Sequence, residues 1–381
     1  VKSLTAIRQH LHRFPELSGQ EYQTQKFIIE QLKPLKWDYA QKVASTGFLL
    51  GFTGPEEGPN ILLRADIDAL PIAEINNFAH RSLKEKESHK CGHDGHTAIL
   101  IGVARHFSDN PPQRGAVYLL FQPAEETGQG AKAVLNDEVF RELSFHQCFA
   151  LHNLPGFPMH QIICKPKQFS AGAISVAFRL FGKTSHAAEP EAGLNPSHAL
   201  STILALSKKY SQPQVSNPGF CLLTPVYATL GSKSYGVSAG YAEAHFTLRA
   251  FEQGALNTLC KQLSAEILDI ATQHNLLLEE DWFEEFYANY NHPQAYELVA
   301  ESAKELNLAW HEMKNPFRWT EDFGLFSSVF TGAMFGLGAG ENTPALHSPD
   351  YDFPDELLET GVKMFCHIAN QALETGNYEQ K

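Results

Sequence analysis

Leu4, Ile7 and Leu11 recur at helical spacing, and the run they belong to stops ahead of Pro15, so the pattern predicts a first helix. "EYQTQKFIIEQL" predicts a second. Short apolar runs ending in acids or imidazoles follow. "NILLRADIDALP" reads as a strand leading into Asp66 and Asp68, and "GAVYLLFQPAEE" as a strand leading into Glu125 and Glu126. "CFALHN" reads as a third, closing on His152, while "HTAILIGVARHF" and "GAKAVLNDEVF" have helical spacing. Buried strands alternating with helices predict an α/β domain built on a mostly parallel sheet.

The middle of the chain changes character. "GAISVAFRLFG" and "EAHFTLRAF" alternate as half-exposed strands, and "PSHALSTILALSKKY" and "ALNTLCKQLSAEILDIATQHN" have helical spacing. Two helices beside a small antiparallel sheet predict a smaller α+β domain over 168–284, inserted into a larger one made of 1–167 and 285–381. The final stretch returns to an apolar strand, "GAMFGLGAG", and a helix, "PDELLETGVKMFCHIANQAL". A chain of 381 residues exceeds the size at which one hydrophobic core keeps growing, which agrees with two domains.

Charge and cysteine content narrow the partners. A net charge of −13 argues against nucleic acid or an anionic membrane as the main partner. No stretch approaches the length of a membrane span. The 6 cysteines (91, 148, 164, 221, 260, 366) form no C-x-x-C pair and have irregular spacing. Free thiols in a reducing compartment, the cytoplasm, are therefore expected.

Open α/β sheets bind ligands beyond the carboxyl ends of their strands. Asp66, Asp68, Glu125, Glu126 and His152 all follow such ends, and His347 follows "FGLGAGENTPAL" in the same way. In "KCGHDGHTAIL", Cys91 and His93 are expected in the loop entering a helix that begins near His96, where the helix N-terminus favours thiolate. A structural zinc knuckle needs a second Cys/His pair at comparable spacing, and the chain has none; a redox thiol would want a resolving cysteine nearer than Cys148. "GKTSHAAEP" places Ser185 and His186 just after a strand of the inserted domain. "GLGAGE" runs into Asn342-Thr343-Pro344 instead of a helix, which excludes a dinucleotide turn. No G-x-S-x-G, H-E-x-x-H or Walker loop is present.

Assembled, the chain resembles the M20 metallopeptidase family, and within it the branch of hippurate hydrolases, N-acyl amino acid amidohydrolases and auxin–amino acid conjugate hydrolases. The matching stretches are "HRFPELSGQE", "LRADIDALPIAE", "CGHDGHTA", "LLFQPAEETGQGA", "LHNLPGFP", "GKTSHAAEPEAGLNP", "TEDF" and "LHSPDYDFPDELL", in family order from residue 12 to 358. The resemblance implies a catalytic α/β domain, a smaller lid domain that commonly mediates a homodimer, and two divalent metal ions (Zn, Mn, Co or Ni). It implies Cys91 as a thiolate bridging the metals, Glu126 and His347 as ligands of one ion, and His93 and His152 as ligands of the other. Glu125 matches the general base, His186 the lid histidine that holds the substrate carbonyl, and Asp68 an aspartate behind the ligands. The activity implied is cleavage of the amide bond of an N-acyl or N-aroyl amino acid. Arg249, whose guanidinium can fork onto a carboxylate, is our candidate for the substrate carboxylate.

The chain departs from the family in four places, one of them "FTLR", which keeps Thr247 and Arg249 of the relatives' "G-T-x-R" but loses its glycine. "GVSAG" puts Gly236 and Ala239 where relatives carry asparagine and proline. Glu191 and Asn195 replace the usual histidine and aspartate of the lid loop, and Lys90 stands where relatives have a small residue. The lid changes bear on substrate choice and leave the expected metal and base positions intact, while Lys90 has no explanation in the sequence. The pattern also admits a deacetylase or dipeptidase of the same family, and a relative that binds metal without turnover.

Overall fold

A computed structural model describes residues 2–374; residue 1 and residues 375–381, the outer ends of the expected larger domain, lie outside the described residues. Contact clustering gives two compact units. The first comprises the chain through Phe169, Asn289–Lys314 and the chain from Asp322 onward; the second comprises Ser170–Ala288 and Asn315–Glu321. The last of these segments falls outside the 168–284 span.

The first unit carries an eight-stranded sheet. Its centre is parallel. Glu56–Asp66 pairs with Arg114–Gln122 on one side (Ile61 with Val117, Asp66 with Gln122) and with Gln147–Leu154 on the other. Thr331–Gly338 then runs parallel to Gln147–Leu154, with His152 opposite Gly336. These four strands are apolar throughout their centres and end on the same edge, so the polar residues after each strand share one rim. An antiparallel hairpin, Tyr39–Val43 and Gly47–Thr53, extends the sheet beyond Arg114–Gln122.

Helices Leu4–Arg13, His93–Asp109 and Leu357–Glu374 pack into the same core as the sheet. The first is capped by Ser3, whose Oγ accepts the Ala6 N–H at 3.2 Å, and it ends ahead of Pro15 as the pattern predicts. The helix expected near His96 begins earlier, at His93. Gly92 adopts a left-handed φ of 97°, which turns the chain sharply enough for the helix to start on the next residue. His93 therefore sits in the first helical turn, with Cys91 just ahead of it.

The second unit is a four-stranded antiparallel sheet ordered Cys221–Leu230, Tyr241–Ala250, Gly172–Phe181, Leu277–Phe286. Helices Ser197–Tyr210 and Gln253–Gln273 cover one face around Val176, Phe178, Phe246, Leu248 and Ile267. Burial alternates along Tyr241–Ala250, so Thr247 and Arg249 lie on the opposite, polar face. A two-residue ladder pairs Ser185–His186 with Val237–Ser238. Among the described residues no helix is long and apolar enough to cross a membrane.

Candidate metal centre

Five donors from chain-distant segments meet at the rim of the first unit. Cys91 Sγ stands 3.4 Å from His152 Nε2 and 3.4 Å from His347 Nε2. Glu126 contributes Oε2 at 3.7 Å from His347 Nε2 and Oε1 at 3.8 Å from His93 Nε2. Two donor triads result, Cys91/His93/His152 and Cys91/Glu126/His347, and they share the thiol. Ligands 2.0–2.3 Å from one tetrahedral ion stand roughly 3.3–3.7 Å apart, so the spacings suit a common cation better than direct hydrogen bonds.

The tautomers agree. His93 Nδ1 lies 3.0 Å from the Asp68 carbonyl and His152 Nδ1 lies 2.9 Å from the Asn153 carbonyl. A carbonyl can only accept, so each Nδ1 donates and, in the neutral ring that a metal ion requires, each Nε2 keeps its lone pair toward the cluster. His93 Nε2 and Glu126 Oε1 are buried polar atoms with no hydrogen-bond partner, which a ligated ion would satisfy.

The electrostatics point the same way. Burial works against charge on His93, but Asp66, Asp68 and Glu126 outweigh it and push its pKa up to about 10. Burial pushes the Glu126 carboxyl up, against the pull of His93. Burial, with His96 beside it, holds His152 well below the ordinary histidine range. The carboxylate cage thus favours positive charge at His93 Nε2, where a cation would sit. Soft thiolate and imidazole beside carboxylate suit zinc and its first-row neighbours. The residues fit a pair of divalent ions.

Backbone strain and buried hydrogen bonds fix the rest. Ala124, immediately before the two glutamates, has a left-handed φ of 53°, and its N–H donates to Glu21 Oε1 at 2.8 Å. Asp68 accepts from the Glu126 N–H (3.0 Å) and Ser18 Oγ (2.6 Å), while its Oδ1 lies 3.2 Å from His93 Nδ1. Glu125, also buried, accepts the Asp322 N–H at Oε1 (3.3 Å), and its Oε2 lies 3.8 Å from His93 Nε2.

His96 is adjacent but already engaged. Its Nδ1 meets Asp66 Oδ1 at 2.6 Å and its Nε2 meets Asn153 Oδ1 at 2.5 Å. Asp322 accepts from Arg64 (2.6 Å), Gln122 (2.7 Å) and the Ala131 N–H (2.8 Å). The sequence reading placed Asp66 at the rim beside Asp68 and gave no role to Asn153 or Asp322. The acid in "TEDF" and the amide after His152 were the available signals.

The structure therefore gathers Cys91, His93, Glu125, Glu126, His152, His347 and Asp68 in the first unit. His186 and Arg249 belong to the second. His186 is exposed, pairs with Val237, and accepts the Ala188 N–H at Nδ1 (3.0 Å), which leaves the proton on Nε2 in the neutral ring. Arg249 is half-buried and donates to the Arg318 carbonyl at 3.1 Å. Burial, reinforced by Arg318, lowers its pKa, and among the described residues no carboxylate forms an ion pair with it.

An α/β sheet whose rim gathers thiol, imidazole and carboxylate donors defines a metal-centre protein. A family model described as Peptidase family M20/M25/M40 matches residues 62–371, and the chain belongs to that family. The N-acetylcysteine deacetylase of Bacillus subtilis is 30% identical over 375 residues, covering 98% of this chain and 97% of the relative. The hippurate hydrolase of Campylobacter jejuni is 27% identical over 380 residues, covering 97% and 96%. The crystal structure of the Bacillus subtilis YXEP protein, a dinuclear metal binding peptidase from the M20 family, is similar with a TM-score of 0.83 at 28% identity, covering 98% of each chain.

Proposed function

We propose that this chain is a metal-dependent amidohydrolase that cleaves the amide bond of N-acyl or N-aroyl amino acids. The observation that carries the reading is the pair of donor triads sharing Cys91 Sγ, with the Glu125 carboxylate beside them. The names of the relatives above, a hippurate hydrolase and an N-acetylcysteine deacetylase, support the substrate class. Cys91, His93 and His152 would hold one divalent cation, and Cys91, Glu126 and His347 the other. Bound there, the pair supplies Lewis acidity toward the scissile carbonyl and a water of lowered pKa.

The chain's own groups do the proton work. Asp322 N–H holds the Glu125 carboxylate at Oε1, and that carboxylate takes a proton from the attacking water and returns it to the leaving amine. Asp68 holds His93 and the Glu126 backbone in register. From the second unit, His186 offers its Nε2–H to the developing oxyanion, and Arg249 offers a guanidinium to the substrate carboxylate. We assign the first unit to catalysis and the second to a lid that also forms a homodimer. The edge strand Cys221–Leu230, with Val226 and Tyr227 more than half exposed, supports that surface. Six free cysteines support a cytoplasmic setting.

The test is a turnover screen of hippurate, N-acetyl amino acids and indole-acetyl conjugates with added Zn, Mn, Co or Ni. Release of free amino acid is expected, and Glu125→Gln is expected to lose at least a hundredfold in kcat while keeping its metal. Metal uptake without amino-acid release from any member of the panel would reduce the protein to a binding module.

A further inference from the structure

Lys90 is fully buried immediately ahead of Cys91. An ammonium taken out of water is costly unless it is paired and hydrogen-bonded. Its Nζ donates to Glu74 Oε1 in a close ion pair and to the Tyr351 carbonyl at 2.7 Å. Its own carbonyl accepts the His347 N–H at 2.8 Å. One residue thus grips the 347–351 loop at both ends.

That loop needs holding. His347 has a left-handed φ of 64°, a strained conformation for a residue with a β-carbon that persists only where its surroundings enforce it. Its side chain is 52% exposed, whereas that of His93 is 0% exposed. Packing therefore does little to fix His347. His93 and His152 are oriented independently, by the Asp68 and Asn153 carbonyls. Glu74 is also held by His12 Nε2 (3.0 Å) and the Ser82 N–H (2.6 Å), so it stays in place if the ammonium is removed.

We propose that Lys90 is a positioning residue that clamps the His347 loop onto the Cys91 loop and selectively sustains the ion shared by Cys91, Glu126 and His347. The inference rests on the two-metal reading above. It predicts an asymmetric lesion: loss of the Nζ end of the clamp, with the His347 N–H bond to the Lys90 carbonyl kept, weakens one ion and spares the other.

The experiment titrates metal-free wild type, Lys90→Met and Lys90→Met/Glu74→Gln with Co²⁺. It reads bound stoichiometry, the thiolate-to-cobalt absorption and the Tm of each metal-free protein. The double variant removes the buried carboxylate charge along with the ammonium, and so decides the matter if the single variant folds poorly. Wild type is expected to bind two ions. Both variants are expected to bind the first ion with near-wild-type affinity and an intact thiolate band, and the second at least about tenfold more weakly. Equal weakening of both ions, or two ions bound as tightly as in wild type, overturns the proposal. Fewer than two ions in wild type overturns the two-metal reading and this inference with it.

Discussion

Asp68 touches three parts of the candidate centre with one side chain and one carbonyl: the His93 ring, the Glu126 amide and the Ser18 hydroxyl. Asp68→Ala keeps the carbonyl that fixes the His93 tautomer but removes the anion beside it. Metal affinity is expected to fall about 10–100-fold, checked by competition with a chromophoric chelator. Gly236 is a different case. Its carbonyl accepts the Ala187 N–H at 3.0 Å, next to His186, and an added Cβ would meet nothing within 4 Å. Gly236→Asn is therefore expected to leave Tm unchanged while shifting KM among N-acyl substrates, measured across the same panel. Cys91, Glu125, Glu126 and His152 were legible as candidates because each is a polar residue at the edge of an apolar run. Lys90 was visible only as a departure. Its partners Glu74 and Tyr351 come from distant segments, and no local pattern encodes that meeting.

At the scale of elements, helices His93–Asp109 and Leu357–Glu374 approach closely through reciprocal glycines. A Cβ on Gly361 would lie 2.5 Å from Ile99 Cδ1, and one on Gly102 would lie 2.4 Å from Val362 Cγ2. Gly361→Val is expected to destabilise by about 1–3 kcal/mol, seen as a lower denaturant midpoint with metal stoichiometry preserved. Helix Leu4–Arg13 docks by charge as well as by apolar burial. Arg8 reaches Asp352 (2.7 Å) and Asp355 (2.8 Å), and His12 bridges Asp94 (2.8 Å) and Glu74 (3.0 Å). Burial opposes charge on His12, but Asp94 and Glu74 push its pKa up to about 9. Raised in the folded state, it contributes stability that is complete below its unfolded pKa near 6.5 and lost as pH rises through about 9. Burial likewise opposes charge on Glu74, yet His12 and Lys90 bring its pKa down to about 2. Its contribution is present above about 4.5 and lost as pH falls toward 2. His12→Gln is expected to lower Tm at pH 6 and flatten its decline between pH 7 and 9. The long helices and central strands were readable from periodicity. The hairpin at Tyr39–Val43 was not, because Ala44 (φ 47°) and Ser45 (φ 67°) make its turn in place of the glycine or asparagine that usually marks one.

At the scale of the whole molecule, the two sheets follow different rules, and the change of pattern along the chain reflects this. Continuous apolar strands build the parallel centre of the first unit, and alternating ones build the second. The segment Asn315–Glu321, which belongs with the second unit, carries no periodic pattern and so gave no sign of that membership. The proposed dimer has a direct test. His186→Ala and Glu125→Gln, each inactive alone, are expected to regain activity on mixing if His186 serves a second copy, and to stay inactive if it serves its own chain. The thiol–imidazole meeting at the rim has a consequence of another kind. Cys91 and His347 are 256 positions apart, and their side chains stand at 3.4 Å. An ion gripped by both closes a ring around most of the polypeptide, as a reversible cross-link would. A nascent chain cannot complete that ring until the segment carrying His347 has left the ribosome, so an ion held by both residues would be taken up only after the chain between them has emerged.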